Sequence, residues 1–198
     1  PYLDRIVSRE TLKKIEKYCY FLIKYNKKLN LISKSTENII MSRHIEDSSQ
    51  LLKYISSEDK NILDIGSGAG FPGIVMYIVK NDLNLDFKLD IVEKSSKKCT
   101  YLQELCKFLE IDVVIHNHDV KNLEKKNYTT LVSRAFKPLD SFLHILDMSN
   151  IKFNKILLLK GQSYNTELTE AEKHWEIKCD THDSVTNPGS KVLVINSV

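Results

Sequence analysis

The amino-acid sequence predicts an α/β domain with a mainly parallel sheet, a helical extension before it and an antiparallel hairpin at its end. From residue 61 onwards, short apolar runs typical of buried strands alternate with amphipathic helical patterns. One of these runs leads directly into a glycine-rich turn and a helix. Near the C-terminus, two segments of alternating polarity flank Asn187-Pro188-Gly189, a turn signal that predicts antiparallel pairing.

The composition is that of a globular protein. The 198 residues are 42% apolar and 28% charged, with a net charge of +3, which excludes a disordered chain. No run of 18 apolar residues is present, so we expect no membrane span, and the first ten residues lack a signal-peptide pattern. The four cysteines fit neither a zinc motif nor a disulfide framework, and no His/Cys cluster has metal-ligand spacing. We expect a cytoplasmic monomer with reduced thiols and no metal ion.

Residues 1–59 are predicted to form a helical extension. The spacing of apolar residues indicates a helix over 8–29, with Ser8 as its N-cap. One or two further helices are expected over 35–57, and a polar connector then marks the boundary with a domain of residues 60–198. The first helix is predicted to bury Leu12, Ile15, Cys19, Leu22 and Ile23.

The elements of the domain follow from local signals in the same way. Apolar runs such as NILDI and KILLL predict parallel strands at 61–65, 87–92, 112–116, 129–133 and 155–159. Helical spacing between these runs predicts helices at 73–80, 95–109, 139–147 and 165–174, the second of them capped by Ser95. The closing hairpin is predicted to pair 175–182 with 191–196.

The positive charge is concentrated in the extension. Residues 11–34 contain seven lysines and one acid, a local charge of +6, with Tyr18, Tyr20, Phe21 and Tyr25 between them. Two interpretations stay open at this point. The stripe is either a solvated helix face beside a packed aromatic face, or a surface that binds a polyanion.

The strongest motif is LDIGSGAGFPG at residues 63–73. Glycines let a ligand approach the backbone closely, and the following helix presents free N–H groups. A P-loop is excluded because no Gly-Lys-Ser/Thr closes the turn, and the dinucleotide pattern G-x-G-x-x-G fails at Phe71. A G-x-G-x-G turn after an acid resembles the first motif of Rossmann-like, class I S-adenosylmethionine-dependent methyltransferases. The candidate cofactor contacts here are Asp64, Gly66, Ser67, Gly68, Gly70 and Phe71.

Acids at the ends of the next two strands favour a nucleoside-containing cofactor. Glu93 closes the second strand, where a carboxylate can accept hydrogen bonds from both ribose hydroxyls. NAD-binding folds use the same device, and a surface Glu that caps the next helix is the alternative. Asp119 follows the third strand and can accept from an adenine amino group while Val120 covers the ring. An ordinary turn aspartate is the alternative for Asp119.

Motifs along most of the chain together resemble the GidB family (glucose-inhibited division protein B). They are LDIGSGAGFPGI at 63–74, SRAF at 133–136 and LLLKG at 157–161, in the order typical of that family. Upstream, LNLIS at 29–33 resembles the family's NLTS-type segment, and HIEDS at 44–48 matches its H-x-x-D-S pattern.

The resemblance implies a specific reaction. Members methylate N7 of a guanine in 16S ribosomal RNA with S-adenosylmethionine, so the partner would be this RNA or the small subunit. The family's cofactor contacts correspond here to Gly66, Phe71, Val120 with Lys121, and Arg134. The sequence departs from the family at Lys121, where an acid is usual.

Methylation at N7 defines what such a site must do. The in-plane lone pair of N7 attacks the methyl group without losing a proton, so alignment matters and a general base is not required. Positive charge moves onto the purine, so a cation beside N7 would oppose the reaction. Arg134 and Lys160, the candidate catalytic residues at two strand ends, are therefore expected to position guanine O6, a phosphate or the cofactor carboxylate. A surface role at a strand end is the alternative for Lys160.

The target guanine is expected in a loop or extruded, because proteins reach the deep groove of A-form RNA poorly.

Other functions remain open at this stage. They are a small-molecule or other RNA methyltransferase of the same fold, an NAD-dependent oxidoreductase, and a non-catalytic cofactor-binding module.

His44 and Asp47 lie three residues apart on one predicted helix face. We expect this pair to act structurally, by pinning the extension against the cofactor domain.

Overall fold

A single seven-stranded sheet forms the centre of the protein. The computed structural model describes Leu3 and residues 6–124 and 126–197, so the outermost residues of the predicted domain ranges (1–2, 4–5 and 198) lie outside it. The strands are β1 (Asn61–Ile65), β2 (Lys88–Val92), β3 (Val114–His116), β4 (Thr130–Arg134), β5 (Lys155–Lys160), β6 (Lys178–Asp183) and β7 (Lys191–Ser197). Their order is β3-β2-β1-β4-β5-β7-β6, with β1 to β5 parallel and β7 antiparallel to both neighbours. The predicted fold class, including the closing hairpin, is confirmed.

The helices also fall close to their predicted positions. They are α1 (Arg9–Leu29), α2 (Asp47–Ser49), α3 (Gly73–Val79), α4 (Ser96–Leu109), α5 (Leu139–Asp147) and α6 (Tyr164–Ala171), with 3-10 turns at Lys80–Leu83 and Val120–Asn122. Ser8 caps α1 as predicted, because its hydroxyl accepts a hydrogen bond from the N–H of Thr11 at 3.2 Å. Among the described residues, no helix combines the length and apolar character needed to cross a bilayer.

Residues 34–54 differ from the one or two regular helices predicted there. The segment is a succession of a 3-10 turn (Lys34–Ile39), a π turn (Met41–Glu46), α2 and a second 3-10 turn (Gln50–Tyr54). Its side chains supply the reason. The carboxylate of Asp47 accepts from the hydroxyl of Thr186, and the Gln50 side-chain oxygen accepts from the N–H of Val185. These bonds to the distant β6–β7 loop override the local helical preference.

The buried face of α1 is rotated from the predicted stripe. Ile23, expected inside, is 38% exposed, whereas Tyr18 and Phe21 are buried. The ring of Phe21 stacks on Tyr25 at 4.5 Å and meets Tyr101 of α4 at 5.8 Å. Two of the aromatic residues interleaved with the lysines therefore belong to the core.

Two hydrophobic clusters cover the two faces of the sheet. Strand alternation places Ile62 and Val132 in the cluster with α3 and α4, and Leu63 and Leu131 in the cluster with α5 and α6. The extension joins the first cluster through residues such as Ile15 of α1. The extension is thus packed on the sheet, and its division from the domain at residue 60 stays a prediction.

Candidate active site

The glycine turn connects β1 to α3 at the point where the strand order reverses, since β1 lies between β2 and β4. Ligands of open α/β sheets bind beyond the carboxyl ends of the strands at such a point. Gly66, Gly68 and Gly70 have φ values of 71°, 59° and 104°, a region that favours glycine. A Cβ on Gly66 would lie 2.2 Å from Cδ2 of Phe136, and one on Gly70 would lie 2.7 Å from the hydroxyl oxygen of Tyr18. Space as well as conformation therefore requires glycine at these two positions.

The carboxyl group of Asp64 supports the turn from within the protein. Its Oδ2 accepts hydrogen bonds from the hydroxyl of Ser67 at 2.5 Å and from the N–H of Gly73 at 2.9 Å. Asp64 is fully buried, and burial raises its pKa to about 7 although these two hydrogen bonds act in the opposite direction. Its Oδ1 is buried and has no hydrogen-bond partner among the described residues. Asp64 thus organises the turn and retains a free acceptor.

Two tyrosines missed by the sequence analysis hold the other side of the turn. The hydroxyls of Tyr18 on α1 and Tyr101 on α4 both donate to the carbonyl oxygen of Ala69, at 2.8 and 3.1 Å. Burial raises the pKa of both phenols, so both remain neutral donors. The extension therefore contributes directly to the shape of the glycine turn.

A cavity of about 300 Å³ opens beyond the ends of the central strands. Four of the predicted cofactor contacts line it: Gly66, Glu93, Asp119 and Val120. Ala135 and Phe136 line it as well but were not assigned to the site from sequence. The signal was present in the SRAF motif, and Ala135 has a φ of 49°, which is uncommon for a residue with a side chain. We refer to this space as the turn cavity.

Glu93 and Asp119, the two acids that line the turn cavity, also accept hydrogen bonds from the surrounding backbone. Glu93 accepts from the N–H of Ser95 at 2.9 Å and from the N–H of Gly68 at 3.3 Å, so it links the start of α4 to the glycine turn. Asp119 accepts from the N–H of Lys121 at 3.2 Å and caps a 3-10 turn. The helix-capping role considered for Glu93 and the turn role considered for Asp119 are thus both observed as hydrogen bonds. Both residues also line the turn cavity.

Several predicted cofactor contacts have side chains outside the turn-cavity lining. The ring of Phe71 is buried between Tyr18 and His44, with centroid distances of 5.5 and 5.0 Å. Ser67 is engaged with the buried Asp64, as described above, and Lys121 is exposed. For Phe71 and Ser67 the structure supports a role in shaping the glycine turn more directly than a side-chain contact with a ligand.

Arg134, at the end of β4, is held by the extension. Its Nη2 lies 2.5 Å from Nδ1 of His44, and its Nε lies 3.6 Å from Oδ2 of Asp47. Burial, together with the charges of Arg134 and Arg43, lowers the pKa of His44 to about 3. The imidazole is therefore neutral, so its Nδ1 accepts from Arg134 while its Nε2–H donates to the hydroxyl of Thr36 at 2.9 Å. His44 and Asp47 pin the extension to the domain through this arginine.

One nitrogen of the Arg134 guanidinium takes no part in these contacts with His44 and Asp47. Its Nη1 is buried and has no hydrogen-bond partner among the described residues. Buried donors are normally paired, so an unpaired guanidinium nitrogen points to an anionic ligand. Burial lowers the pKa of Arg134 and the nearby Asp47 carboxylate acts in the opposite direction, which leaves the group charged.

Lys160, at the end of β5, extends from the opposite face of the sheet to Arg134. Arg134 pairs with Leu159 across β4 and β5, so the side chains of these two residues lie on the same face of the sheet. Lys160 is the next residue of β5, and its side chain therefore lies on the opposite face. Its Nζ donates to the carbonyl of Lys137 at 2.6 Å and to Glu167 at 2.7 Å. Both cations nevertheless line a second cavity of about 200 Å³, here called the basic cavity, together with Arg43, Lys191 and Ala135.

Solved structures with a similar fold include several methyltransferases. They include the 16S rRNA methylase ArmA (TM-score 0.60, 15% identity, 91% of this chain and 98% of that chain covered). A second is ribosomal protein L11 methylase from Lactobacillus delbrueckii subsp. bulgaricus (TM-score 0.59, 11% identity, 76% of each chain covered). At these identities the likeness concerns the fold alone. With the glycine turn at the switch point, this is the fold of class I S-adenosylmethionine-dependent methyltransferases.

Sequence comparison narrows the class to one family. The GidB family model, described as rRNA small subunit methyltransferase G, matches residues 11–193. Relatives named Ribosomal RNA small subunit methyltransferase G occur in Rickettsia prowazekii (36% identity, 97% of both chains covered) and Paramagnetospirillum magneticum (34% identity, 97% of this chain and 91% of the relative). The chain belongs to the GidB family, which confirms the resemblance drawn from its motifs.

Proposed function

We propose that this chain is a cytoplasmic, monomeric enzyme that transfers a methyl group from S-adenosylmethionine to N7 of a guanine in 16S ribosomal RNA. The observation that carries the proposal is that Ala135 lines both cavities. A cofactor in the turn cavity and a base in the basic cavity would meet at this residue. The cationic lining of the basic cavity suits a nucleotide, which carries phosphate and the guanine carbonyl.

The residues present fit the cofactor. S-adenosylmethionine carries an ammonium and a carboxylate at one end and a nucleoside at the other. The unpaired Oδ1 of Asp64 suits the ammonium, through a water molecule or after a small side-chain shift, and the unpaired Nη1 of Arg134 suits the carboxylate. Glu93 would accept from the ribose hydroxyls, and Asp119 with Val120 would hold the adenine. When bound, the cofactor supplies an electrophilic methyl group.

The contribution of the chain to the reaction is alignment. Because N7 presents its lone pair without deprotonation, no side chain has to act as a base, and geometry decides the rate. Arg134 is fixed by His44 and Asp47, and Lys160 is fixed by Glu167. Both cations are thereby held at the rim of the basic cavity, where guanine O6 or a phosphate would bind. Lys160 has used two of its three N–H donors and retains one for such a contact.

The ionisation of Asp64 gives the cofactor site a testable pH dependence. In the free protein its pKa is about 7, so the carboxyl group is partly protonated near neutral pH, and the free protein loses stability as pH rises from 3.8 to about 7. An ammonium ligand favours the carboxylate, so binding should strengthen over the same range. We expect the dissociation constant for S-adenosylmethionine to fall about tenfold between pH 6 and pH 8, measured by calorimetry.

Asp64→Asn provides the control for this pH effect. The amide retains an acceptor for Ser67 and Gly73 but does not titrate, so the affinity of this variant should be weak and independent of pH. The rate at saturating cofactor should stay flat from about pH 6 to 9 in the unmodified chain, since no base is required. Equal pH dependence in both proteins would show that Asp64 does not meet the ammonium.

We further propose that the extension, residues 1–59, binds the RNA backbone and that residues 60–198 bind the cofactor. The helix α1 presents a row of exposed lysines to solvent, namely Lys13, Lys17, Lys24, Lys27 and Lys28. These side chains are free to neutralise phosphates without disturbing the buried face of the helix. Binding through phosphates would be independent of base identity.

Neutralising these lysines should weaken RNA binding in a salt-dependent way. We expect Lys17→Gln, Lys24→Gln and Lys28→Gln together to lower the slope of log K against log salt by about two units, since each phosphate contact contributes about 0.7–0.9. Binding to a 16S RNA fragment, measured over a series of salt concentrations, gives this slope.

A triple variant of exposed lysines elsewhere serves as the matched control. Lys88, Lys107 and Lys178 are exposed and lie outside the extension, so their replacement by Gln changes the net charge equally. A slope that falls equally in both triple variants would assign the effect to net charge and would contradict a binding role for α1.

Methyl transfer from radiolabelled cofactor tests the proposed function. Free 16S RNA, intact small subunits and whole ribosomes are each incubated with the chain, and incorporation is counted. Labelling of any of the three supports the proposal, whereas labelling only of small molecules would favour the alternative methyltransferase. Calorimetry with S-adenosylhomocysteine and with NADH separates a methyltransferase from an oxidoreductase. We expect the chain to bind S-adenosylhomocysteine and not NADH.

A further inference from the structure

Three potential metal ligands meet on the surface where α5 contacts the end of α6. Oδ1 of Asp140 lies 3.0 Å from Nδ1 of His174 and 3.7 Å from Nε2 of His144. All three ligand atoms lie within 4.8 Å of one another. From this cluster we infer a binding site for a divalent transition metal of the zinc type, separate from the two cavities of the proposed active site.

The spacing of the ligand atoms fits one ion. In a tetrahedral zinc site with bonds of 2.0–2.1 Å, the ligand atoms lie about 3.4 Å apart. The two distances from Asp140 lie on either side of this value. The rings of His144 and His174 are 6.1 Å apart and about half exposed, so an ion reaches them with small side-chain rotations. Binding therefore leaves the core undisturbed.

Trp175 orients two of the ligands. Its indole N–H donates to Oδ1 of Asp140 at 3.1 Å, and its ring meets the edge of His144 at 4.9 Å. A hydrogen bond to a ligating carboxylate is a common feature of metal sites, because it fixes the ligand and tunes its basicity. The site thus has a supporting contact as well as its three ligands.

The donor set selects the kind of ion. Two neutral imidazoles and one carboxylate suit Zn²⁺ and its neighbours, whereas Mg²⁺ and Ca²⁺ prefer oxygen ligands. Three protein ligands leave a fourth position for water. On binding, Nδ1 of His174 exchanges its hydrogen bond to Asp140 for the metal, and the proton of the neutral ring resides on Nε2.

The position of the site suggests what the ion does. Glu167 of α6 accepts from the N–H of Leu139 at the start of α5 and from Lys160. An ion bridging Asp140 and His144 to His174 would join α5 to the segment after α6 at a second point. It would therefore stabilise the helix pair that holds Lys160, without contacting substrate.

This proposal differs from the expectation of no metal ion, which stays a prediction. That expectation relied on ligand spacing along the chain, and His174 follows His144 by 30 residues. Only the packing of the two helices brings the imidazoles together, so local motif spacing carries no signal for it.

Titration of the chelator-treated chain with Zn²⁺ tests the inference. Trp175 is the only tryptophan, so its fluorescence reports directly on the site, and calorimetry gives stoichiometry and affinity. We expect one ion per chain, a change in fluorescence and a higher midpoint of thermal unfolding. His144→Ala and His174→Ala should each weaken binding at least about tenfold, and an excess of Mg²⁺ should not compete.

Two variants guard against binding elsewhere. His182→Ala removes an exposed histidine outside the cluster, and Cys179→Ser removes a half-buried thiol, so neither should alter Zn²⁺ affinity. If these variants weaken binding and the cluster variants do not, the ion binds elsewhere and the inference is wrong. The absence of stoichiometric binding to the unmodified chain would overturn it equally. Thermal unfolding without Zn²⁺ checks that each variant is folded.

Discussion

Replacing Arg134 with alanine is expected to weaken S-adenosylmethionine binding about 10- to 100-fold. The reason is the buried Nη1, which has no hydrogen-bond partner among the described residues and which we propose donates a charge-assisted hydrogen bond to the cofactor carboxylate. Such bonds contribute roughly 1.5–3 kcal/mol, which corresponds to this range. Calorimetry measures the affinity, and circular dichroism establishes that the variant is folded. Methyl transfer should fall further, because the same guanidinium lies at the rim of the basic cavity.

Arg134→Lys should restore little of this loss. The guanidinium contacts His44 through Nη2 and Asp47 through Nε while keeping Nη1 for a ligand, and one ammonium cannot reproduce that fork. Arg43→Ala is the matched control, because both arginines line the basic cavity, but of the two only Arg134 keeps a buried nitrogen without a hydrogen-bond partner. It should reduce RNA methylation and leave cofactor affinity unchanged. Normal cofactor affinity in Arg134→Ala would remove this residue from the cofactor site.

Gly66→Val is expected to abolish cofactor binding. A Cβ at this position lies 2.2 Å from Cδ2 of Phe136, and the φ of 71° is unfavourable for a β-branched residue. The displaced ring and the added side chain would both occupy the turn cavity. The backbone strain costs roughly 1–3 kcal/mol, so a lower midpoint of thermal unfolding should accompany the loss of binding.

Gly161→Val is the matched control for Gly66→Val. A Cβ on Gly161 meets no atom within 4 Å, so the same substitution there should leave cofactor affinity unchanged. Calorimetry with S-adenosylhomocysteine compares the two variants. If Gly66→Val binds as tightly as Gly161→Val, the turn cavity is not the cofactor site.

The fold was largely predictable because its signals are local. Residues 61–65 and 139–147 form β1 and α5 with the predicted bounds. In the first, a short apolar run ends at a glycine turn, and in the second, apolar residues recur at helical spacing. Residues 34–54 were less predictable, because their backbone is fixed by side-chain bonds to a loop more than 130 residues further along the chain.

The candidate site was predictable in its residues but not in their partners. The glycine pattern identified Gly66, yet the clash with Phe136 depends on how the loop after β4 folds back. The SRAF motif identified Arg134, whereas its bond to His44 joins residues 90 positions apart. The sequence pattern does not give the register between β4 and β5. It therefore could not show that the side chain of Lys160 lies toward Glu167 and not toward the extension.

The atom that receives the methyl group decides the central claim most directly. Small-subunit RNA is methylated by the chain with labelled S-adenosylmethionine and digested to nucleosides, which are separated against methylated guanosine standards. The account predicts that the label co-migrates with 7-methylguanosine and is lost with Gly66→Val. A label on any other nucleoside, or on another atom of guanosine, would contradict the alignment at N7 and the absence of a general base.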